Sequence, residues 1–305
     1  MADNQIQTTL LTPAQQNITN FKKMVDGNYV QAQLKQVLKE NAGTFATSLM
    51  EVYTNDKQLQ TCEPKLVIQE AIKAASLKLP LNKQLGYGYL LVFNNWDKVQ
   101  RRAVPTPTFV PGYRGYIQLA MRTGQYKNIN ADCVFEGELL GKDKLSGAID
   151  LSGEKTSDKV VGYFAHFELL NGFSKTWYMS IEQMANFALT YAPVFKGMKD
   201  KPTVDSLIDL ANEQIKNGPV QGQTGWKANF NAMAQKTVLR NLLSKYGFLS
   251  IEMMNAIEMD QKQDYTTAEE IRDEGNTEPK KVVSIEQVME EAEEAEEVNE
   301  EQAPI

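Results

Sequence analysis

The composition of the chain changes abruptly after about Met259, and this change limits which residues can build a folded core. From Ser250 to Ile305 there are eighteen acidic residues and four basic ones, a net charge of −14. The first 249 residues carry 28 basic and 21 acidic residues, a net charge of +7, whereas the whole 305-residue chain sums to −7. Acidic segments with few large apolar residues bury too little surface to fold alone. We therefore expect a folded, basic body followed by an acidic tail.

The distribution of apolar residues places the folded body at residues 21–260. Residues 1–20 are polar and predict a flexible leader, whereas residues 261–305 predict an acidic linker and tail. Within that tail, a capping box at Ser284 and Gln287 precedes a thin apolar stripe, which predicts one marginal helix that needs a partner to be stable. For the body we expect the α+β class, in which a small antiparallel sheet of hairpins packs against several helices.

The clearest hairpin pattern lies at residues 160–179, around the dipeptide Asn171-Gly172. Asparagine followed by glycine is the preferred sequence of a two-residue hairpin turn, because both positions need a positive φ angle. A turn of that length would place Glu168 opposite Lys175 on the neighbouring strand. Alternation along the strands then puts Lys175 and Trp177 on the face away from the core.

Three other patterns predict the remaining elements near the centre of the body. Residues 86–93 alternate as a strand, Asn94-Asn95 predicts a turn, and residues 98–104 are expected to return as the partner strand. Residues 127–135 predict another strand. Residues 226–246 predict a long helix that is apolar around most of its circumference, so Lys236 and Arg240, one turn apart, are unusual charges on it.

The segment FVPGYRGYIQLAMRTG, residues 109–124, predicts an extended stretch followed by a short helix. Pro111 suits the first helical position, and Gly124 suits the left-handed residue just past a helix end. Three polar residues follow a spacing of four and therefore share one helix face: Arg114, Gln118 and Arg122. The residues expected to pack on the opposite side are Tyr113, Ile117, Ala120 and Met121.

The sequence lacks the common motifs of nucleotide-binding and metal-dependent enzymes. The string GELLGK, Gly137–Lys142, is one residue shorter than a phosphate-binding loop and is followed by Asp143 rather than by serine or threonine. The single histidine, His166, faces Trp177 in the expected hairpin and is interpreted as structural. Two isolated cysteines form neither a disulfide framework nor a zinc site. These features favour a binding protein over an enzyme.

Three segments, in this order along the chain, resemble one protein family. They are LNKQLGYGYLLVF at residues 81–93, FVPGYRGYIQLAMRTG at residues 109–124 and KTVLRNLLSKYG at residues 236–247. With the strand after the second segment, they are similar to the core of the RecT-type single-strand annealing proteins of phages and prophages. The similarity covers residues 21–259 and says least about the acidic tail.

The resemblance implies an ATP-independent phage recombinase with an annealing core of the RecT/Redβ type. Such a protein binds single-stranded DNA, forms a ring or helical filament on it, and anneals it to a complementary strand held as duplex in a basic groove. The implied partners are a 5′→3′ exonuclease and a host single-strand binding protein. The resemblance implies no required cofactor, and any Mg²⁺ would arrive with the DNA.

The polar N-terminus and the lack of an 18-residue apolar span predict a cytoplasmic protein of the bacterial host, associated with the nucleoid and not with a membrane.

The basic residues inside or beside the matching segments are the expected DNA contacts, because binding a DNA backbone needs cations. The first choices are Arg114, Arg122, Lys127, Lys236 and Arg240, with Gln118 on the same helix face as the first two. The second choices are Arg101, Arg102, Lys175 and Lys227. Tyr113, Trp177 and Phe109 are candidates for wedging between bases or stacking on them.

Two other functions stay open at the level of the sequence. Asp132, Glu136 and Glu138 alternate along one expected strand and would supply the carboxylates of a metal-dependent nuclease, although a solvent-facing strand edge explains them as well. A structural phage assembly protein would use the acidic tail as an assembly handle. Salt-sensitive DNA binding would count against the assembly role.

Overall fold

A computed structural model describes residues 13–97, 101–196 and 198–260 of the chain. These residues all belong to one compact unit, Met1–Tyr265. The helices, in chain order, are α1 Pro13–Val25, α2 Asn28–Leu38, α3 Ala42–Asn55, α4 Pro64–Ser76, α5 Tyr113–Arg122, α6 Ile181–Tyr191, α7 Pro193–Lys196, α8 Val204–Asn217, α9 Gly225–Ala228, α10 Phe230–Tyr246 and α11, residues 251–260. Helix α1 begins inside the expected leader, because Phe21 and Val25 are fully buried in the core.

The strands form three small antiparallel sheets, which confirms the expected α+β class. The strands are β1 Gly88–Asp97, β2 Arg102–Pro111, β3 Tyr126–Phe135, β4 Gly141–Lys142, β5 Ile149–Asp150, β6 Val160–Leu169 and β7 Ser174–Ser180. Strands β1 and β2 form a long two-stranded ribbon, β3, β6 and β7 form a three-stranded sheet with β6 in the centre, and β4 pairs with β5. The tail with its expected marginal helix lies outside the described residues.

Helix α10 covers one face of the three-stranded sheet and contacts all three strands. Its core residues Val238, Leu239 and Leu242 are fully buried, which removes their apolar surface from water and stabilises the fold. The expected helix of residues 226–246 is interrupted at Asn229, whose side chain accepts a hydrogen bond from the Ala232 amide at 2.9 Å. Asn229 therefore begins α10 as an N-cap residue and separates it from α9.

The β6–β7 hairpin forms as expected, but its register differs by one residue from the prediction. Its loop has three residues rather than two, because Leu169 donates to the Phe173 carbonyl at 2.8 Å and accepts from the Gly172 amide at 3.0 Å. Gly172 has a φ angle of +85°, as the last residue of such a loop requires. Lys175 therefore pairs with Phe167, whereas Glu168 pairs with Ser174.

The change of register moves Lys175 and Trp177 to the opposite face of the sheet. They pair with Phe167 and Ala165, both of which are fully buried on the side of α10. The expectation that they face away from the core is therefore wrong. His166 pairs with Thr176 rather than with Trp177, and its Nδ1 lies 2.9 Å from the threonine hydroxyl.

The β1–β2 ribbon is longer than the sequence predicted. Asn94 and Asn95 lie within β1 and pair with Pro105 and Val104, so they do not form the expected turn. Strand β2 has prolines at positions 105, 107 and 111, and the Phe109 amide donates to the Glu70 carboxylate of α4 at 2.8 Å. The Phe109 amide therefore points away from β1. Each of the three prolines lies an even number of residues from Phe109, so their backbone nitrogens point to the same outer edge of β2.

Helix α5 begins two residues later than Pro111, which is the last residue of β2. Gly115 brings α5 close to the start of the ribbon, because a Cβ atom at this position would lie 2.2 Å from the Tyr87 carbonyl oxygen. Gly124 has a φ angle of +66° just past the helix end, as expected. The residues that anchor α5 most deeply are Tyr116 and Leu119, whereas Met121, expected to pack, is 59 % exposed.

Within the described ranges, none of the helices has the length and apolar content needed to cross a membrane.

Candidate nucleic-acid interface

The α5 row consists of Arg114, Gln118 and Arg122, and the structure gives its two arginines different surroundings. Arg114 is exposed and lies beside the turn that leads into β1, with its Nη1 3.5 Å from the Leu85 carbonyl oxygen, at the outer limit of hydrogen bonding. Gln118 is half-buried on the next turn of the helix. The outward end of this row can therefore approach a polyanion.

Arg122 binds the end of another helix. Its two terminal nitrogens donate to the carbonyl oxygens of Leu77 and Lys78, each at 2.8 Å. These carbonyls follow α4, where Lys78 has a left-handed φ angle of 53°. Desolvation by burial lowers the pKa of Arg122, although the nearby Glu252 carboxylate raises it. Arg122 thus fastens α5 to α4 through these two hydrogen bonds, although its side chain remains exposed at the surface.

Lys236 and Arg240 lie inside the protein, with 6 % and 9 % of their surface exposed. Lys236 Nζ lies 2.7 Å from Asp260 Oδ1, and Arg240 Nη1 lies 3.1 Å from Asp260 Oδ2. The Tyr116 hydroxyl of α5 donates to the same Oδ2 at 3.0 Å. In this conformation neither cation is accessible to DNA. Lys236 and Arg240 are therefore not among the exposed residues that could contact a strand. Their sequence position alone did not reveal this, because the partner Asp260 lies on α11, 24 residues after Lys236 and 20 after Arg240.

A second surface group, the lysine–aromatic cluster, consists of Lys175, Trp177, Lys245 and Tyr246. Lys245 and Tyr246 are exposed, whereas Lys175 and Trp177 are half-buried. The rings of Trp177 and Tyr246 are 6.4 Å apart between centroids. Lys245 Nζ lies 4.2 Å from the Trp177 ring centroid, and Lys175 Nζ lies 5.4 Å from that of Tyr246. Edge strand β7 supplies one half of the cluster and the end of α10 the other. The cluster joins two cations with two aromatic faces, the combination that binds single-stranded nucleic acid.

Lys245 and Tyr246 were missed by sequence reasoning, although both lie in the segment KTVLRNLLSKYG. They lie past the buried part of α10 and are exposed. The sequence signal was available, since the apolar pattern of the helix ends at Leu243. Lys175 also donates to the Ser146 carbonyl at 2.6 Å, which ties the β4–β5 loop to the cluster. Trp177 has a buried indole nitrogen with no hydrogen-bond acceptor among the described residues.

The distal end of the β1–β2 ribbon forms a third exposed group, the ribbon tip, with Trp96, Arg101 and Arg102. Trp96 is 66 % exposed. Sequence reasoning assigned it no role, because it lies between the expected turn at Asn94-Asn95 and the expected strand at residues 98–104. Arg101 and Arg102 are exposed at the start of β2, and Arg101 has a φ angle of 49°. Eight residues separate Arg102 from Val110, so roughly 26 Å of ribbon lies between the tip and the base of β2 near α5.

The other candidates from the sequence lie in less suitable places. Lys127 is exposed and pairs with Glu168 at 2.8 Å. Lys227 is half-buried and lines a surface cavity of about 390 Å³ together with Asp209 and Glu213. The negative charges of these two carboxylates would repel a phosphate. Phe109 is 1 % exposed, so the structure excludes it from stacking on bases in this conformation. Tyr113 is half-buried, and its hydroxyl donates to the Ala131 carbonyl at 3.3 Å, which indicates packing of α5 against β3.

The acidic row considered for a nuclease is occupied by internal contacts. Asp132 accepts from the Gln235 side chain at 3.1 Å, Glu136 accepts from Ser157 at 2.8 Å, and Glu138 accepts from the Phe135 amide at 2.7 Å. No group of three metal-binding side chains occurs in the part of the chain that the structure describes. These three carboxylates are therefore explained by the internal hydrogen bonds that they accept.

Comparison with known proteins gives a consistent result. The model of the RecT family matches residues 43–280 of the chain. An uncharacterised Bacillus subtilis protein, YqaK, is 37 % identical over 246 residues, which cover 80 % of this chain and 73 % of that protein. Protein RecT of Escherichia coli is 29 % identical over 213 residues, which cover 68 % of this chain and 67 % of that protein.

Proposed function

The chain belongs to the RecT family, whose members act in DNA recombination by single-strand annealing, and we propose accordingly that it binds single-stranded DNA through three groups at its surface. These are Arg114 and Gln118 of the α5 row, the lysine–aromatic cluster and the ribbon tip. Residues 21–260 are proposed as the core for DNA binding and oligomerisation. The observation that carries the proposal is the lysine–aromatic cluster, where two lysines and two aromatic rings meet at the surface.

Annealing requires that one strand be held while its base edges stay available to a second strand. Lysine and arginine contacts to phosphates satisfy this requirement, because they fix the backbone without reading the sequence. Aromatic faces add stacking energy, about 1–3 kcal/mol for each base, with little sequence preference. Lys175, Lys245 and Arg114 are the cations proposed for phosphate, and Trp96 and Tyr246 are proposed for stacking.

We further propose that subunits assemble on the strand as a ring or helical filament and hold the new duplex in a basic groove. The free energy of the reaction would come from base pairing and counterion release, without ATP. A 5′→3′ exonuclease would supply the single strand, and a host single-strand binding protein would be displaced from it. Mg²⁺ is not required in this scheme.

The function is tested by annealing two complementary labelled oligonucleotides without any nucleotide. Wild type is expected to accelerate annealing, with an affinity for single strands that falls steeply as salt rises. A lack of both effects would overturn the proposed function.

The interface is tested with two variants and a control. Arg114→Ala and the double variant Lys175→Ala/Lys245→Ala should weaken binding and reduce the slope of log affinity against log salt by about 0.7 for each phosphate that is no longer neutralised. Lys65→Ala, which removes an exposed lysine from α4, is the matched control. Wild-type slopes in both test variants would show that these residues do not touch the strand.

The ribbon tip has a separate test, because Trp96 is an intrinsic fluorophore. In a protein carrying Trp177→Phe and Trp226→Phe, the fluorescence of Trp96 should be quenched by a single strand and shifted to the blue by stacking. Unchanged emission at saturating DNA would remove Trp96 from the interface.

A further inference from the structure

The carboxylate of Asp260 is held by three donors that arrive from two other helices. Lys236 and Arg240 come from α10, and the Tyr116 hydroxyl comes from α5. Lys236 binds Oδ1, whereas Arg240 and Tyr116 both bind Oδ2, at distances of 2.7–3.1 Å. Asp260 itself is 4 % exposed. Two cations and a hydroxyl are thus arranged around a pair of oxygens.

This donor set is also suitable for a phosphodiester. A phosphodiester offers two charged non-bridging oxygens, as a carboxylate does, and ammonium and guanidinium groups bind either anion by charge-assisted hydrogen bonds. A guanidinium group is especially suited to phosphate, because it presents several donors in one plane. Lys236 and Arg240 belong to a protein whose proposed ligand is a polymer of phosphates. Asp260 therefore occupies a site that would accept a segment of that ligand.

The carboxylate is carried by a helix with a narrow attachment to the rest of the body. Helix α11 buries Met253, Ala256 and Ile257 in addition to Asp260, whereas Ile251 and Met254 remain 71 % and 47 % exposed. Apart from the contacts of Asp260 and the charge of Glu252 beside Arg122, this short apolar row holds the helix, and such a unit can separate from the core without unfolding the sheet. Its separation would uncover the side of α10 that holds Lys236 and Arg240.

We propose that Asp260 is an internal substitute for a DNA phosphate, and that α11 is an autoinhibitory element whose release opens the Lys236–Arg240 site to the strand. This inference rests on the proposed function, because the competing anion is the backbone of the single strand. In the closed state, α11 restricts binding to the exposed groups. In the open state, Lys236 and Arg240 add two phosphate contacts.

The first test measures binding of oligo-dT to full-length Asp260→Asn at several salt concentrations. The variant keeps the size of the side chain and removes its charge, so closure is weakened. Asp260→Asn should bind oligo-dT more tightly than wild type at each salt concentration, because opening no longer breaks the ion pairs to the Asp260 carboxylate. The melting temperature of the variant should also rise more on addition of oligo-dT than that of wild type, because phosphate replaces the missing carboxylate.

The matched control is Asp56→Asn, which removes one negative charge from the Lys83–Asp56 ion pair just after α3. It should leave the affinity for oligo-dT at the wild-type value. Asp260→Asn with the wild-type affinity for oligo-dT, and with lower stability that DNA does not restore, would overturn the inference alone. Failure of wild type to bind any single strand would instead overturn the proposed function, and the inference with it.

A second measurement needs no variant and stays informative if Asp260→Asn fails to fold. Hydrogen exchange of the amides in residues 251–260 of wild type is compared with and without saturating oligo-dT. Opening predicts faster exchange in this helix when DNA is bound, whereas the buried amides of β6 should not change. Equal or slower exchange in residues 251–260 would overturn the proposal.

Discussion

At the scale of single residues, two arginines with the same helical spacing have different roles. Arg114 extends from α5 into solvent, whereas Arg122 turns back and donates to two carbonyl oxygens at the end of α4. Spacing along a helix gives the direction of a side chain but not the neighbour it meets. The difference leads to opposite expectations for stability and for DNA binding.

Arg122→Ala is expected to lower the free energy of unfolding by about 1–2 kcal/mol, because it removes two hydrogen bonds from a charged donor. Arg114→Ala should change that free energy by less than about 0.5 kcal/mol, as is usual at the surface, and reduce DNA affinity instead. Urea unfolding of both variants, with wild type as reference, measures the contrast. Equal stabilities would contradict the helix-fastening role of Arg122.

The thiol of Cys133 should be unreactive in the native protein. Burial, followed by the charge of Asp132, raises its pKa to about 12, and the reactive thiolate is therefore scarce at neutral pH. Iodoacetamide should label Cys133 in urea but not in native buffer, as read by peptide mass spectrometry. Rapid labelling of Cys133 in native buffer would show that the strand opens.

At the scale of elements, the β6–β7 hairpin shows what sequence patterns can and cannot predict. The dipeptide Asn171-Gly172 located the loop correctly, but the loop length set the register, and the register decided the faces of Lys175 and Trp177. Two-residue and three-residue loops both accept glycine at a positive φ angle, so the dipeptide does not distinguish them. A shift of one residue moves every side chain to the other face.

Long-range contacts set a second limit on sequence prediction. The pattern of α10 identified Lys236 and Arg240 as unusual charges, and the structure explains them by Asp260, which belongs to another helix. Periodicity describes neighbours within one element, whereas a buried ion pair joins elements that only the tertiary fold brings together. Elements with a clear local pattern, such as α5, α10 and strand β6, were therefore predictable, whereas the contacts of Asp260 were not.

Gly172→Ala should destabilise the protein by about 1 kcal/mol, because the backbone of an alanine is strained at the φ angle of +85° found here. An added Cβ would meet nothing within 4 Å, so the cost is that of the backbone alone. Gly141→Ala is the matched control, since its Cβ also meets nothing within 4 Å and its φ angle is not in the positive range. Thermal unfolding should separate the two variants, and equal losses of stability would contradict the three-residue loop.

At the scale of the whole molecule, charge is distributed unevenly between the body and the last fifty-six residues, with +7 on the first 249 residues and −14 on the rest. Asp260 belongs to the acidic part by sequence but to the folded core by structure. A truncation after Met259 would therefore remove a core carboxylate along with the tail. Experiments on the tail should end the chain beyond Asp260, so that the two effects stay separate.

Global stability should fall on the acid side in a way that depends on Asp260. Burial raises the pKa of this carboxyl, but the charges of Lys236 and Arg240 outweigh burial and hold it below its usual value. The ionised group therefore stabilises the fold above about pH 4, the pKa in the unfolded chain, and loses this effect as pH falls through the lower folded pKa. Urea unfolding between neutral and acidic pH should show a smaller loss of stability for Asp260→Asn than for wild type. Parallel curves would contradict the assignment.

The outer edge of β2 has a consequence for solubility. Of the alternate positions 103, 105, 107, 109 and 111, three are prolines without an amide hydrogen, and the Phe109 amide is bound by Glu70. A strand from another molecule that approached this edge would find almost no donors with which to extend the sheet. The ribbon can thus project from the body without acting as a template for aggregation. This is an advantage for a protein that is proposed to assemble in many copies on one DNA strand.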